Sequence, residues 1–519
     1  MALKQWLNEQ MKETLFSSFY LSLFFFISVL YVFNLARKTK SKRNLNLPPS
    51  PPKLPFIGNL HQLGALPHRS LRDLSEKYGD IMLLQLGQMQ NPTVVVSSVD
   101  AAMEIIKTHD VAFSNRPQNT AAKILLYGCA DITFGVYGEN WRQKRKICVV
   151  ELLSMKRVQS FHAIREEEAD KLVNKLREVR SSDACYVNLS EMFTSISNNI
   201  MSKCALGRNY IGDGNSSLKH LSRNVMVHLA DFTVRDYFPW LGWVDILTGK
   251  IKKYKATFKA LDDLFDKAIA EHLAAKREGD HSNRKDLVDI LIELQDSNML
   301  NIHFTRNDLK ALLLDMFVGG ADTIEVTLEW SMAELVRNPI IMKKVQEEVR
   351  KIVGNKSKIK ETDINQMHYL KCAIKETLRL HPPAPLLAPR ETISSVKLKG
   401  YDIPPKTNVF TNAWAIQRDP KFWESPEQFL PERFENNETD LKGQDFQFIP
   451  FGFGRRGCPG INFGLASVEY VLANLLYWFD WKLPESSDTL KQYIDMSETF
   501  GLVVSKKKPL HLKPITFLF

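Results

Sequence analysis

The sequence predicts a mainly α-helical protein with small β-sheets, organised as one large domain behind a single N-terminal transmembrane helix. Helical apolar periodicity covers most of the chain, strand-like segments are short, and one uncharged apolar stretch lies near the N-terminus. The 519 residues are 44% hydrophobic and 25% charged, which excludes a disordered chain, a collagen-like fibre and a polytopic membrane protein. The net charge of +10 is modest for this length and does not indicate nucleic-acid binding.

The most apolar stretch runs from Leu15 to Ala36 and contains no charged residue. As a helix rising ~1.5 Å per residue it would reach ~33 Å, enough to cross a bilayer core of ~30 Å. The basic cluster Arg37–Arg43 follows, and the positive-inside rule then places residues 1–14 in the lumen and the remaining chain in the cytosol. The alternative is a cleaved signal peptide, but the stretch is long for one and no small-residue cleavage site follows. We therefore predict a membrane anchor over residues 15–36.

A proline-rich segment connects the predicted anchor to the rest of the chain. Five prolines among the eight residues Pro48–Pro55 exclude helix and central strand, and indicate a stiff extended connector rather than a flexible linker. We assign residues 37–55 to a basic stop-transfer segment and hinge. Residues 56–519 show no second linker or repeat and form one predicted domain. The six cysteines are scattered without a C-x-x-C pair, which argues against a disulfide framework and fits a reducing cytosol.

Helical apolar periodicity predicts the larger elements of this domain, and short apolar segments between them predict strands. The polar stretch Gly279–Lys285 interrupts the pattern and predicts an exposed loop. The predicted helices are Leu71–Tyr78, Ala101–Thr108, Ser160–Val179, Lys252–Lys276, Asn307–Val336, Ile340–Val353 and Met367–Leu380, and the predicted strands are Ile81–Leu86, Thr93–Ser97, Val396–Leu398 and Asn408–Thr411.

The strongest chemical signal is the segment Phe451–Gly460, which matches F-x-x-G-x-R-x-C-x-G. Its single cysteine, Cys458, cannot by itself hold zinc or an iron–sulfur cluster, because those sites take about four ligands. One thiolate does suffice as the axial ligand of haem iron, and backbone N–H groups near the sulfur can tune its electron donation. Arg456 can pair with a haem propionate, while Gly454 and Gly460 would let the backbone approach a flat macrocycle. The alternative is a glycine-rich loop around a buried free cysteine.

This segment resembles the haem-binding loop of the cytochromes P-450, the haem-thiolate monooxygenases, and the resemblance covers essentially the whole chain. The proline hinge and the overall layout are similar to the plant microsomal, A-type or 71-clan branch. The resemblance implies a mainly helical fold with small sheets that holds haem b between two long helices. It also implies residence in the endoplasmic reticulum membrane, dioxygen as a substrate, and electrons from NADPH delivered by a cytochrome reductase.

A second motif pairs an acidic and a basic residue on one predicted helix. Glu376 and Arg379 stand at i and i+3 and can meet on one face. Taken alone, such a pair is an ordinary surface ion pair. The resemblance carries the family's E-x-x-R motif onto these two residues and its third partner onto Arg433. It implies a buried bidentate network that stabilises the haem-side core and has no catalytic role.

A third motif interrupts the predicted helix Asn307–Val336. Gly319 and Gly320 weaken a helix by up to ~1 kcal/mol each, and the acid–alcohol pair Asp322 and Thr323 follows them. The motif resembles the family's oxygen groove, which implies that the pair relays protons to dioxygen. The alternative is a kinked core helix with a solvated aspartate. Ile324 departs from the family's usual Thr or Ser, which puts the polarity of the groove in question.

A fourth motif, W-R-x-x-R-K, begins at Trp141 and would ordinarily be read as a solvated basic face. The resemblance implies that Trp141 and Arg145 contact the haem propionates, with Arg390 and Arg456 as further partners. Several cations suit two propionates, which are dianionic in sum. The predicted cofactor-binding residues are therefore Trp141, Arg145, Arg390, Phe451, Arg456 and Gly460.

The other basic residues of this motif, Arg142, Lys144 and Lys146, remain for a different role. We expect them to face outward and to help dock an acidic flavin domain of the NADPH-cytochrome reductase.

The segments in which the family binds substrates are mostly apolar here, and we see no fixed counter-ion for a charged ligand. This favours an uncharged lipophilic substrate of moderate size, of terpenoid or phenylpropanoid and coumarin type. The candidate contacts are Leu125, Leu126, Phe134, Phe232, Trp240, Leu312, Leu386, Leu387, Phe500 and Leu502.

Three function classes are open at this point. The leading one is a monooxygenase that hydroxylates or otherwise oxidises its substrate. A haem-thiolate isomerase or dehydratase would need neither dioxygen nor reductase, and the Asp322–Thr323 pair argues against it. A non-catalytic haem-binding sensor would have no use for an oxygen groove.

Overall fold

The computed structural model describes twelve stretches of the chain. The predicted lumenal segment 1–14, most of the predicted anchor and the basic cluster lie outside them, as does all but the last residue of the predicted loop Gly279–Lys285. Among the residues that are described, none belongs to a helix long and apolar enough to span a bilayer. The described residues are 20–22, 24–26, 28–29, 45–89, 91–178, 186–210, 220–278, 285–297, 302–436, 439–441, 443–484 and 494–517.

The chain divides into two compact units. The smaller comprises residues 1–47 with Gly400–Asp402, and in it the backbone N–H of Asn46 donates to Asp402 Oδ2 at 2.9 Å. The larger comprises Pro48–Lys399 and Ile403–Phe519 and contains the helices whose bounds are given below.

The larger unit is mainly helical with small sheets, which confirms the predicted fold class. Every predicted helix and strand is present, with ends that differ by a few residues. The helices are α1 Pro67–Tyr78, α2 Val99–Lys107, α3 Thr120–Leu125, α4 Glu139–Ile147, α5 Met155–Ser160, α6 His162–Glu178, α7 Leu189–Leu206, α8 Leu221–Ala230, α9 Val234–Tyr237, α10 Trp243–Leu247, α11 Lys250–Arg277, α12 Leu287–Asp296, α13 Arg306–Arg337, α14 Pro339–Val353, α15 Glu361–Ile364, α16 His368–Leu380, α17 Ala413–Ile416 and α18 Ile461–Trp478.

The strands are short and form separate small sheets. They are β1 Ile81–Leu84, β2 Thr93–Val96, β3 Val187–Asn188, β4 Arg390–Glu391, β5 Val396–Leu398, β6 Tyr401–Ile403, β7 Asn408–Thr411, β8 Phe479–Lys482, β9 Glu498–Thr499, β10 Ser505–Lys506 and β11 His511–Thr516. In the four-stranded sheet the order is β1-β2-β7-β4, with β2 parallel to β7 and the other neighbours antiparallel. A second sheet has the order β3-β11-β8.

Helix α13 forms the centre of the unit and packs against α7, α8 and α18. Thr305 and Asp308 close its N-terminus with a capping box, and it ends at Arg337 just before Pro339 opens α14. Helices α7 and α18 are missing from the sequence-based predictions. Both are buried over most of their surface, so that they lack the polar face from which an amphipathic period is recognised.

Candidate functional site

Cys458 lies in the loop that precedes α18. Its backbone N–H donates to Phe451 O at 2.9 Å, and its Sγ accepts the backbone N–H of Gly460 at 3.3 Å. The thiol is accessible, yet the protein surrounds it densely enough to raise its pKa by desolvation, whereas the Gly460 N–H and the charge of Arg145 act in the opposite direction. The sulfur therefore faces an inner cleft, and it carries one backbone hydrogen bond that favours the thiolate.

Two glycines of the Cys458 loop, Gly454 and Gly460, differ in what a side chain at their position would contact. Gly454 has a φ of +64°, and a Cβ there would lie 2.5 Å from Ile106 Cδ1 of α2. Gly460 has an ordinary φ, and a Cβ there would meet Cys458 Sγ at 3.8 Å. The packing of α2 therefore explains Gly454, while only Gly460 borders the sulfur.

Gly319 and Gly320, adjacent in α13, face different surroundings. A Cβ on Gly320 would lie 2.5 Å from the sulfur of Met201 in α7, whereas a Cβ on Gly319 would meet no heavy atom within 4 Å. Gly320 therefore permits the close approach of α13 and α7. Gly319 leaves free space beside the helix, as a groove for a small molecule requires.

We expect Gly320→Ala to destabilise the protein by about 1–3 kcal/mol, because Met201 is 2% exposed in a packed core and has little room to shift. Gly319→Ala is the matched control, and should leave stability unchanged or raise it by up to ~1 kcal/mol through helix propensity. Urea unfolding of both variants measures the difference. Adding Met201→Ala to Gly320→Ala should recover part of the loss. Equal stability of the two glycine variants would contradict the argument.

Asp322 and Thr323 follow the two glycines on α13. Thr323 Oγ1 donates to Gly319 O at 2.6 Å, a bond back along the helix that bends helices. Asp322 is 3% exposed, and Arg223 Nε lies 3.5 Å from its Oδ1, which accepts no hydrogen bond. Burial raises the pKa of Asp322, and the charge of Arg223 opposes that shift. Ile324 is buried in the main core and adds an apolar contact beside this pair.

Four arginines converge between α4, the Cys458 loop and β4. The sequence predicted Arg145, Arg390 and Arg456 but not Arg116, which lies in the polar segment Ser114–Thr120 and belongs to none of the four motifs. All four donate to backbone carbonyls. The acceptors are Ser114, Ile132 and Gly135 for Arg456, Phe113 and Phe453 for Arg390, Gly457 for Arg145, and Thr133, Ala388 and Pro389 for Arg116.

The positive charge of these four arginines exceeds the negative charge of the carboxylates around them. Burial, followed by repulsion from Arg390, lowers the pKa of Arg456 to about 9, and burial lowers that of Arg390 to about 10. The pKa of Arg116 falls well below its usual value for the same two reasons. Of the nearby carboxyls, Asp131 has an unpartnered Oδ1, and burial raises its pKa to about 6. A dianionic group would complete this donor set.

Trp141 and Arg456 also contact one another. The guanidinium lies 4.0 Å from the centroid of the indole, and the indole N–H donates to Ile132 O at 2.9 Å. Trp141, predicted as a propionate partner, here orients Arg456.

Lys144 is buried, so the expectation that it faces a docking partner is wrong. Its Nζ donates to Ala130 O and forms an ion pair with Asp308 at the start of α13. The helical period explains the correction, because Trp141 and Lys144 share the inner face of α4, whereas Arg142 and Lys146 are exposed.

Glu376 and Arg379 form a fully buried bidentate pair on α16. Arg379 Nε and Nη2 donate to the two carboxylate oxygens at 2.7 and 2.8 Å, and Arg433 Nε donates to Oε1 at 3.2 Å. The remaining Arg379 donors reach carbonyls of Gln417, Pro426 and Gln428, which joins α16 to the segment before the Cys458 loop.

An apolar cavity of about 200 Å³ lies beside the four-stranded sheet. The candidate contacts that line it are Phe134, Leu386, Leu387, Phe500 and Leu502.

The other candidate contacts lie elsewhere. Leu125, Leu126 and Leu312 are core residues, whereas Phe232 and Trp240 are 43% and 62% exposed. These five residues do not line this cavity, and their role as substrate contacts stays a prediction.

Comparison with known proteins agrees with this geometry. The family model for cytochrome P-450 matches residues 48–514. The chain is 50% identical to phenylacetaldehyde oxime monooxygenase of Prunus mume over 95% of this chain and 94% of that protein. It is 47% identical to desmethylyatein synthase of Sinopodophyllum hexandrum (95% and 98% covered) and 46% identical to strychnine-11-hydroxylase of Strychnos nux-vomica (94% and 95% covered).

A solved zebrafish cytochrome P-450 with abiraterone superposes with a TM-score of 0.72 at 25% identity, covering 88% of this chain and all of that one. The relatives include plant cytochromes P-450 of the 71 family, and the relative from Prunus mume is named a monooxygenase. A thiol in an inner cleft, a glycine groove with an acid–alcohol pair and a cluster of unbalanced arginines thus occur in a chain that belongs to the cytochrome P-450 family of monooxygenases.

Proposed function

We propose that this protein is a membrane-anchored monooxygenase that oxidises an uncharged lipophilic molecule of plant specialised metabolism with electrons from an NADPH-cytochrome reductase. The accessible Cys458 thiol, with its single hydrogen bond from Gly460, is the observation that carries the proposal. The anchor is the predicted helix 15–36, in the endoplasmic reticulum membrane. The names of the relatives refer to more than one substrate, and the family alone therefore does not define the substrate.

The residues present fit haem b. Haem, when bound, supplies the activation of dioxygen. Cys458 would ligate the iron as a thiolate, and the Gly460 N–H reduces the charge on sulfur. The arginine cluster has the excess positive charge that two propionates would balance, and Gly319 leaves room beside α13.

Asp322 and Thr323 are the residues we assign to proton movement. The raised pKa of Asp322 allows the carboxyl to hold a proton inside the protein, and its Oδ1, which accepts no hydrogen bond, can exchange one. Arg223 reaches Asp322 from α8 and is 34% exposed at its side chain, so that it connects the buried carboxyl to the surface.

Substitution of Cys458 tests the proposal directly. The reduced wild-type protein should give the long-wavelength carbon monoxide band of thiolate-bound haem, and Cys458→Ser should lose it. Cys372→Ser, at a buried free cysteine outside the Cys458 loop, is the control and should keep the band. A histidine-like band in folded wild-type protein would contradict the proposal. Product formation that requires NADPH and reductase would exclude the isomerase and dehydratase alternative.

The docking of the reductase makes a separate prediction. Arg145 on α4 contacts Gly457 beside Cys458, so the exposed Lys146 of the same helix lies near the cofactor loop. Lys146→Glu should reduce reductase-supported turnover several-fold at low salt, and the effect should shrink as salt increases. Lys252→Glu, an exposed lysine of α11, is the matched control. Unchanged kinetics at low salt would remove α4 from the docking surface.

A further inference from the structure

Two buried polar side chains of the four-stranded sheet lack hydrogen-bond partners. Thr93 on β2 is 1% exposed and Asn408 on β7 is 5% exposed, and neither Thr93 Oγ1 nor Asn408 Oδ1 has a partner. Both residues line the apolar cavity. Their neighbours two positions along, Val95 and Phe410, line it as well, as the alternation of strands requires.

An unpartnered buried polar group costs free energy, which makes this pair unusual. Leaving such a group unsatisfied costs about 1–3 kcal/mol, whereas an apolar side chain of the same shape would avoid the cost. The backbone does not need these side chains, because Asn408 N–H donates to Pro92 O at 2.9 Å within regular pairing. Neither group is therefore explained by the stability of the sheet.

Two other polar residues around the cavity have partners within the protein. Asp236 accepts from Thr120 Oγ1 at 2.6 Å, and Asn119 caps α3 by accepting from Ala122 N at 2.7 Å. These two side chains serve the fold, whereas Thr93 Oγ1 and Asn408 Oδ1 are left for a ligand.

The register places the two unpartnered groups side by side. Thr93 and Asn408 are direct partners in the parallel β2–β7 pair. Neighbouring strands lie about 4.8 Å apart. One oxygen atom that makes two hydrogen bonds of about 2.8 Å can bridge two groups at that separation. A hydroxyl suits the pair, because it can donate to Asn408 Oδ1 and accept from the Thr93 hydroxyl.

We propose that Thr93 and Asn408 form a recognition site for a hydroxyl group on the lipophilic ligand of this cavity. The site holds the ligand by its polar end, while Leu386, Leu387 and Phe500 contact its apolar part. Leu387 Cδ1 lies 3.8 Å from a Cβ built on Gly452, so the apolar end would point toward the Cys458 loop. The inference deepens the proposed function by adding a chemical requirement to its substrate.

Equilibrium dialysis of the full-length, haem-loaded protein with two matched probes tests the site. Cinnamyl alcohol carries the hydroxyl, and in cinnamyl methyl ether a methyl group replaces the hydroxyl proton, so that the oxygen can accept but not donate a hydrogen bond. Wild type should bind the alcohol about tenfold more tightly than the ether, the effect of roughly one hydrogen bond. Asn408→Leu should reduce that preference at least threefold and leave ether binding unchanged, because it removes the acceptor that only the alcohol can use. Thr93→Val should weaken the binding of both probes, because the ether oxygen can still accept from the Thr93 hydroxyl. Thr411→Val, on the opposite face of β7, is the matched control and should keep the full preference.

Thermal unfolding of the ligand-free variants separates recognition from structure. Thr93→Val and Asn408→Leu should match or exceed wild type in Tm, since each removes an unsatisfied polar group. Equal binding of both probes to wild type, binding of neither, or equal loss of both in Asn408→Leu overturns the proposal, as does a lowered Tm in both variants. Dialysis needs no NADPH or reductase, so failure of turnover and failure of this site are distinguishable.

Discussion

Glu376→Ala is expected to destabilise the protein by about 3–5 kcal/mol, because it leaves Arg379 buried without its carboxylate. Domains are commonly stable by only about 5–15 kcal/mol, so we expect a large loss of folded protein. Arg433 would lose its carboxylate partner as well and keep only the carbonyl of Ser425. The loss should appear in urea unfolding and as a reduced carbon monoxide signal per milligram of protein.

The chain offers a matched control for this substitution. Glu139 and Arg142 form an ion pair with the same i,i+3 spacing, but both side chains are more than half exposed. Glu139→Ala should leave stability unchanged, because water and salt screen an exposed pair. If both alanine variants unfold alike, or if Glu376→Ala folds normally and loses only turnover, the structural role of Glu376 is wrong.

Asp322→Asn is expected to lower product formation by about 10²–10⁴-fold, the usual contribution of a positioned proton donor. The amide keeps the size of the side chain but cannot deliver a proton. Thr327→Val is the matched control, because Thr327 Oγ1 bonds back to Thr323 O at 2.8 Å one turn further along α13. Product per NADPH consumed is the measurement, and equal coupling in Asp322→Asn and wild type would remove Asp322 from proton delivery.

The same substitution has a predicted effect on stability that changes with pH. Because burial raises the pKa of Asp322 in the folded protein, the folded state disfavours the ionised carboxyl. The contribution of Asp322 to the free energy of unfolding is therefore highest below the pKa of ~3.9 that its carboxyl has in the unfolded chain. This contribution falls as the pH rises through the higher pKa of the folded state. Asn carries no such penalty, and the Tm of Asp322→Asn relative to wild type should increase as the pH rises over that range. A pH-independent difference would contradict the raised pKa.

The sequence determined much about this protein because several of its signals are local. The F-x-x-G-x-R-x-C-x-G segment identified Cys458, and the period of amphipathic helices predicted α1, α11, α14 and α16. The alternation of polar and apolar residues along an amphipathic helix can be read directly from the sequence. Helices α7 and α18 were not predicted. Tertiary packing covers most of their surface, so that their sequences lack a distinct polar face.

Tertiary structure decided what depends on which residues meet. Lys144 is close in sequence to exposed Arg142 and Lys146, but the burial of one face of α4 turns it inward to Asp308. Arg116 joins Arg456 only because the chain returns to it from more than three hundred residues away. The adjacent residues Gly319 and Gly320 have different roles. A side chain on Gly320 would collide with Met201, whereas Gly319 borders free space beside the helix.

The Thr93–Asn408 pair depends on the parallel register of β2 and β7, which connects two strands far apart in the chain. A helical period or a short motif reflects interactions between residues that lie a few positions apart in the sequence. The neighbours of a buried polar group are set by long-range packing, and the sequence of either strand alone does not reveal them.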